Sequence, residues 1–353
     1  MNLETVEKIA RAVLYEGYML YPYRPSAVKN RQRWNFGVLY PPAHSESQGG
    51  ADAYSMRTEC LVEGSRRTML EVKVKFLQTV ERTVGRTATS MHELPPREIR
   101  GFHPVESLEV EGRIFRPWQE AVEREVSLPP CSFETLSNEP RHSSFAFAAE
   151  KRWEAICNAS GAISGGILRR QELTCGEIAV TVEDLGGHVF KVAVNIRNTA
   201  PSDGSGSTNR NEALLCSLVS THTILRAQDG EFVSLVDPPD KFRELTSDCN
   251  NIGTWPVLAG DEARHDTMLS SPIILYDYPQ IAPESSGDLF DSTEIDEILS
   301  LRIMTMTDEE KREMRESGEH ARRILERTET LPVEQLVKLH GVLRGLRPIK
   351  EGP

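Results

Sequence analysis

The sequence predicts an α+β protein with a predominantly antiparallel β-sandwich or open-barrel core, an N-terminal helix and a C-terminal helical arm. In the middle of the chain, short stretches of alternating apolar and polar residues are separated by Gly-, Pro- and Asn-containing turns, as in antiparallel sheets. After Asp291 the apolar residues recur every three or four positions, which is the helical period. The 353 residues therefore divide into 1–40, 41–278 and 279–353.

The first part, residues 1–40, begins with a predicted amphipathic helix over residues 3–15 and leads into a predicted strand over residues 34–40. The helix carries acidic residues near its start, where they favour the positive end of the helix dipole. Its apolar residues follow the i, i+3, i+4, i+7 spacing and are Val6, Ile9, Ala10, Val13 and Leu14.

A basic, tyrosine-rich segment joins this helix to the strand. Its candidate partner-binding residues are Tyr21, Tyr23, Arg24, Arg31, Arg33 and Trp34. Arginines beside aromatic rings can hold an anionic ligand, stack on bases or dock an acidic protein surface. The alternative is that the segment is a solvated turn with its aromatic rings packed beneath it. We favour this alternative because the protein is acidic.

The second part, residues 41–278, is the predicted β-rich domain with long loops. Its clearest strand is 69–76, where apolar and charged residues alternate. Further strands are expected within 97–117 around a turn at Glu111–Gly112, at 177–182 and 188–196 around Gly186–Gly187, at 214–225, at 230–236 and at 273–275. Loops are expected at 41–54, 127–145 and 201–210.

The third part, residues 279–353, is a proline-stiffened connector followed by charged helices. Asp291 with Glu294 and Thr307 with Glu310 have the spacing of N-terminal capping boxes. The helix after Thr307 is highly charged and has a thin apolar seam that includes Met314, Ile324 and Leu325. Such a seam either completes its burial on a partner protein or packs on the β-rich domain of the same chain.

Composition excludes several classes of function. The net charge of −12 argues against a general binder of nucleic acids or anionic membranes. No apolar run approaches the roughly 20 residues that span a bilayer, and the N-terminus lacks the features of a signal peptide, so a cytoplasmic location is expected. The six cysteines form no CxxC pair, which argues against zinc ribbons and many iron–sulfur sites.

One set of residues has the chemistry of a metal or acid–base site. Its members are His222, Asp237, His265, Asp266, Asp277 and Glu284. Histidine and carboxylate side chains are the usual protein ligands of zinc and non-haem iron. Their long spacing matches no compact motif, and the alternative is a histidine satisfied by the backbone with aspartates that serve turns.

No other stretch matches a catalytic signature. Residues 160–166, SGAISGG, lack the Gly-x-Ser-x-Gly order of a nucleophile elbow, and neither a GxxxxGK[ST] loop nor a well-placed GxGxxG is present. We therefore assign no catalytic residues from the sequence.

Four long phrases resemble one bacterial family. They are VLYEGYMLYPYRPSAVKNRQRWNFGVLYP, THTILRAQDGEFVSLVDPP, GTWPVLAG and SSPIILYDYPQIAPESSGDLFDSTEIDEILSLRIMTMTDEEKREMRE. In these phrases the chain is similar to an uncharacterised family encoded beside [NiFe]-hydrogenase structural and maturation genes. The resemblance covers the ends of the chain and residues 214–315, and it rests on no catalytic motif.

The resemblance implies association with hydrogenase assembly or operation, with hydrogenase subunits or maturation factors as partners. It brings no established activity, no catalytic residues to carry over and no particular cofactor. The preferred hypothesis is a non-catalytic accessory protein that acts through protein contacts. The alternatives are a metal-dependent enzyme that uses the His/carboxylate set and a homo-oligomeric scaffold built through the helical tail.

Overall fold

The computed structural model describes residues 2–14, 35–91, 102–201, 209–280 and 303–316, together with 322, 325, 326 and 328–330. In these ranges the helices are α1 (Asn2–Leu14), α2 (Pro42–Ser47), α3 (Phe133–Asn138), α4 (Arg210–Leu215), α5 (Arg243–Ser247) and α6 (Asp308–Glu316), with a 3-10 turn at Asp240–Phe242. The strands of the first half are β1 (Ser55–Glu63), β2 (Met69–Met91), β3 (Phe102–Pro104), β4 (Leu108–Val110), β5 (Arg113–Phe115), β6 (Trp118–Ser132) and β7 (Arg141–Phe147). The later strands are β8 (Glu150–Cys157), β9 (Ile163–Gln171), β10 (Thr174–Gly186), β11 (Val189–Asn198), β12 (Val219–Gln228), β13 (Glu231–Phe232), β14 (Trp255–Leu258) and β15 (Thr267–Ser271).

The predicted α+β sandwich is confirmed. A five-stranded sheet has the order β13-β1-β11-β10-β7. An eight-stranded sheet has the order β14-β15-β12-β2-β9-β8, with β3 and β6 also paired to β2, and its neighbouring strands run antiparallel. Neither sheet closes into a barrel within the described ranges, so the sandwich alternative is the one observed.

The 23-residue strand β2 organises the larger sheet. Its first half lies between β12 and β6, and its second half lies between β9 and β3. The alternating pattern at its start places Leu70, Val72 and Val74 on one face of the strand. β2 therefore joins the main sandwich to the strands β8 and β9.

The two sheets enclose the main apolar core. One sheet contributes inward-facing residues such as Ile178, Val194 and Ile196, and the other contributes Phe76 and Leu225. Burying one such aliphatic side chain contributes roughly 1.5–3 kcal/mol. The alternation of apolar and polar residues that predicted these strands therefore corresponds to their two faces.

Helix α1 covers the outer face of the larger sheet, as its amphipathic pattern predicts. Its apolar stripe packs in one cluster with Ile224, Val257 and Leu269 from β12, β14 and β15. Glu7 of the helix forms an ion pair with Lys73 of β2. The fold thus has three layers, and both faces of the larger sheet are buried around β12.

The glycine turns and the second capping box are confirmed. β4 and β5 turn at Glu111–Gly112, and β10 and β11 turn at Gly186–Gly187. At the start of α6 the Thr307 amide donates to Glu310 Oε2 over 2.8 Å, and the Glu310 amide donates to Thr307 Oγ1 over 3.2 Å. The capping box at Asp291 lies outside the described residues.

Several local predictions are wrong. Residues 127–145, predicted as a loop, contain the end of β6, helix α3 and most of β7. Their apolar residues show no regular spacing in the sequence, and they are buried by distant parts of the chain. Residues 41–54 include α2, and the expected strand at 34–40 reduces to one bridge between Leu39 and Leu218.

The strand boundaries near the end of the β-rich domain also differ. The predicted strand 214–225 begins as helix α4 and becomes a strand at Val219. Only Glu231–Phe232 of the stretch 230–236 is a strand. The last described strand is β15, which ends at Ser271, so 273–275 is not a strand. Of the predicted loop 201–210, residues 202–208 lie outside the described ranges.

No helix in the described part of the chain is long and apolar enough to cross a bilayer.

Candidate functional site

His222 lies in a buried polar cluster between β12 and β15. Its Nδ1 atom is 2.7 Å from the backbone carbonyl oxygen of Ser220, and its Nε2 atom is 3.2 Å from Oγ of Ser271. A carbonyl oxygen only accepts hydrogen bonds, so Nδ1 carries the proton and Nε2 accepts from the Ser271 hydroxyl. Both ring nitrogens of His222 are therefore occupied by protein groups.

A β-bulge places His222 in this position. The register between β12 and β2 shifts between Val219 and His222, and Ser220 has a φ of +54°. A bulge leaves one extra residue on its strand and redirects the neighbouring side chains. In β12 it turns the Ser220 carbonyl toward the imidazole of His222.

Hydroxyl groups continue this cluster into the sandwich. Ser270 Oγ lies 2.7 Å from Thr58 Oγ1 and 2.6 Å from Thr254 Oγ1, so that one serine of β15 links β1 to the residue preceding β14. The side-chain oxygens of Ser220 and Thr223 are buried without a hydrogen-bond partner. Buried hydroxyls are costly unless they are paired, so the paired members hold β1, β14 and β15 in register.

Burial controls the protonation of His222. Removal of the ring from water lowers its pKa from 6.5 to about 4, and the hydrogen bond to the Ser220 carbonyl opposes this only in part. The imidazole is therefore neutral at neutral pH. A Ser–His pair of this kind could in principle activate the hydroxyl as a nucleophile. However, both side chains are fully buried and no substrate can reach them, so their role is structural.

The other predicted metal-site residues lie around a separate corner of the fold. His265 has a φ of +41°, and its ring lies edge-on to Tyr278 with centroids 5.9 Å apart. Asp266 accepts from the Thr267 hydroxyl over 2.9 Å and lies 3.5 Å from Arg264. Burial, followed by the charge of Asp277, raises the pKa of Tyr278 to about 12.

Asp277 holds two loops together. Its Oδ1 atom accepts from the Leu258 amide over 2.8 Å, and its Oδ2 atom accepts from the Ser234 hydroxyl. Ser234 Oγ in turn accepts from the Asp237 amide over 2.8 Å. Asp277 therefore serves as a turn and edge residue, which is the structural alternative predicted for it.

Within the described ranges, no group of three or more His, Cys, Asp or Glu side chains is placed to hold a metal ion. His222 is occupied by Ser220 and Ser271, and His265, Asp266 and Asp277 each have the other contacts described above. Glu284 lies outside the described residues, so its part in the metal hypothesis stays a prediction.

A polar cleft of roughly 810 Å³ lies beside Asp266. Two arginines line it, and each of them has a carboxylate partner. Arg226 lies 3.7 Å from Glu71, and Arg264 lies 3.5 Å from Asp266. Both arginine charges are thus compensated within the chain, so neither guanidinium provides a free cation around which an anionic ligand would be organised.

An exposed apolar strip follows β15. Ile273 and Leu275 pack on the cluster that contains α1, whereas Ile274 and Tyr276 are 73% and 85% exposed. Asp277 then accepts a hydrogen bond from the Leu258 amide of β14, so the segment is anchored at both ends. The sequence predicted a strand at this place and did not predict which side chains face water, because every residue of 273–276 is apolar or aromatic.

Two of the predicted partner-binding residues in the helical arm are buried. Met314 and Leu325 are fully buried, and Arg312 donates to the Gly112 carbonyl of the β4–β5 turn over 3.0 Å. In the described part of this seam, Met314 and Leu325 thus pack within the chain, which is the alternative that the sequence left open. Ile324 and the segment with Tyr21, Tyr23, Arg24, Arg31, Arg33 and Trp34 lie outside the described residues.

A scan against protein-family models finds no match, and a search of curated proteins finds none either.

Proposed function

We propose that this protein is a non-catalytic, cytoplasmic accessory protein that assists the assembly, maturation or stability of a [NiFe]-hydrogenase-type metalloenzyme through protein contacts. Its proposed partners are hydrogenase subunits or maturation factors. The partner class rests on the resemblance of the four sequence phrases. The observation that supports protein contact is the exposed strip of Ile274 and Tyr276.

The strip has the physical features of a docking site. Large apolar and aromatic side chains are enriched at the centres of protein interfaces, and burial of one contributes roughly 1.5–3 kcal/mol. Ile273 and Leu275 anchor the backbone on the sheet, so little conformational entropy is lost when a partner covers the strip. The strip therefore offers a preorganised surface.

The test is co-purification of the tagged full-length protein with hydrogenase subunits and maturation factors from its own host. A double variant, Ile274→Ser with Tyr276→Ser, removes the exposed apolar groups without touching the core, and we expect it to lose the hydrogenase proteins. Val236→Ser is the matched control, because Val236 is also an exposed apolar residue but lies outside the strip. This control is expected to retain them.

A deletion strain tests the function itself. We expect reduced hydrogenase activity that the wild-type gene restores and the double variant does not. Full hydrogenase activity in a clean deletion strain would contradict the proposal.

A further inference from the structure

Strand β8 is an open edge of the larger sheet. It pairs with β9 along Glu150–Cys157, and no other described strand pairs with its second side. Its outward N–H and C=O groups therefore have no backbone partner in the described part of the chain. An open edge of this kind is a template for pairing with another strand.

Of the usual protections of an edge strand, β8 has only charged side chains and a single register shift between Ile156 and Cys157. The strand contains no proline, and its register with β9 is regular from Glu150 to Ile156. Strand β6 offers a contrast, because it carries Pro129 and Pro130, which cannot donate to a neighbouring strand.

Two exposed charged side chains of β8 lie on either side of a packed tryptophan. Arg152 is exposed and forms no ion pair with any described residue. Glu154 is 58% exposed, and only its Oε2 atom is used, by Arg169 at 2.6 Å. Between them, Trp153 is held edge-on to the Phe102 ring at 4.9 Å, over Gly166, where any larger residue would collide with the indole.

We propose that two copies of this chain associate by antiparallel pairing of their β8 strands about a two-fold axis at Trp153. In this register Arg152 of each copy lies opposite Glu154 of the other, which gives two ion pairs on one face. Lys151 lies opposite Ala155, and Glu150 lies opposite Ile156, so no like charges face each other. Opposite charges directly across a strand pair stabilise it, and like charges destabilise it.

The neighbouring registers are unfavourable. An axis at Arg152 places two arginines opposite each other and pairs Glu150 with Glu154. An axis at Glu154 places two glutamates opposite each other. The register at Trp153 brings two pairs of opposite charges together without a like-charge contact, so the sequence of β8 favours it over these two registers. This inference does not depend on the proposed function.

The test is the mass of the full-length chain in solution, measured by sedimentation equilibrium over a range of concentrations. The wild type is expected to form a dimer. Arg152→Glu and Glu154→Arg each create two like-charge contacts, and each is expected to raise the dissociation constant at least about tenfold. The double variant R152E/E154R restores opposite charges across the axis, so it is expected to dimerise again.

Lys151→Glu is the matched control, because Lys151 faces Ala155 and its reversal is expected to leave the dimer intact. Circular dichroism establishes that each variant is folded. A wild type that stays monomeric, single reversals that still dimerise as the wild type does, or a charge swap that fails to restore the dimer would each overturn the proposal.

Discussion

The hydroxyl of Ser271 donates to Nε2 of His222 over 3.2 Å, and this contact joins the end of β15 to the bulge of β12. The same serine accepts from the Ile273 amide over 3.1 Å, where the chain leaves the sheet toward the exposed strip. The buried histidine therefore fixes the starting point of the segment that presents Ile274 and Tyr276.

Acid is expected to destabilise the protein through His222. Its pKa is about 4 in the folded state and about 6.5 when unfolded, so the unfolded chain binds more protons below pH 6.5. The contribution of the neutral imidazole to the free energy of unfolding is fully present above pH 6.5, and it is lost as the pH falls toward 4. This group should account for a loss of about 3 kcal/mol, measured by urea unfolding at successive pH values.

The variant His222→Gln removes this titration. We expect its free energy of unfolding to be lower than that of the wild type at pH 7 and to depend less on pH between 6.5 and 4. His103→Gln, at an exposed position, is the control and is expected to keep the wild-type loss. Equal pH dependence in wild type and His222→Gln would contradict the burial of a neutral histidine.

Any side chain at Gly37 is expected to destabilise the protein. It has a φ of +52°, and an added Cβ would lie 2.5 Å from Cβ of Pro272. Gly49 has a similar φ of +63°, but nothing lies within 4 Å of an added Cβ there. Gly49→Ala therefore reports backbone strain alone, about 1–2 kcal/mol.

Gly37→Ala adds the collision to the same strain. We expect it to cost about 1–3 kcal/mol more than Gly49→Ala in thermal or urea unfolding. Equal losses for the two variants would show that Pro272 moves aside without cost.

Phe133 is expected to be one of the main contributors to the core. It is fully buried at the start of α3, and its ring centroid lies 5.1 Å from that of Phe190. Phe133→Ala should cost about 3–5 kcal/mol of unfolding free energy, because it removes a large apolar side chain and leaves a cavity. The adjacent exposed residue provides a control, Glu134→Ala, which should change stability by no more than about 0.5 kcal/mol. A small effect at both positions would contradict the packing of α3 against the sandwich.

The capping box of α6 is expected to stabilise the helical arm locally. Thr307→Ala removes the acceptor for the Glu310 amide and should cost about 1 kcal/mol, whereas Thr307→Ser keeps the acceptor. Hydrogen exchange of the first α6 amides measures this directly. We expect faster exchange at Glu310 in the alanine variant only, and identical exchange in both variants would exclude the cap.

Local features were predictable from the sequence, and features that depend on distant contacts were not. The turn at Gly186–Gly187 and the Thr307–Glu310 box follow from residues a few positions apart, so their chemistry is visible in the chain itself. Helix α3 was missed because the burial of Phe133 depends on Phe190, which lies 57 positions away. The open edge of β8 could not be predicted for the same reason, because it follows from the order of strands in the sheet and not from the residues of β8.

By itself the sequence determined the α+β class, the helix α1, the β10–β11 hairpin and the start of α6, because short-range periodicity and turn chemistry specify them. Only the tertiary structure decided that His222 is sealed between Ser220 and Ser271, that Met314 is covered, and that Ile274 and Tyr276 face water. Burial is a property of the neighbours that the fold brings together. For these side chains the neighbours lie on other strands and helices. Whether each side chain is buried or exposed therefore could not be predicted from its own residue type.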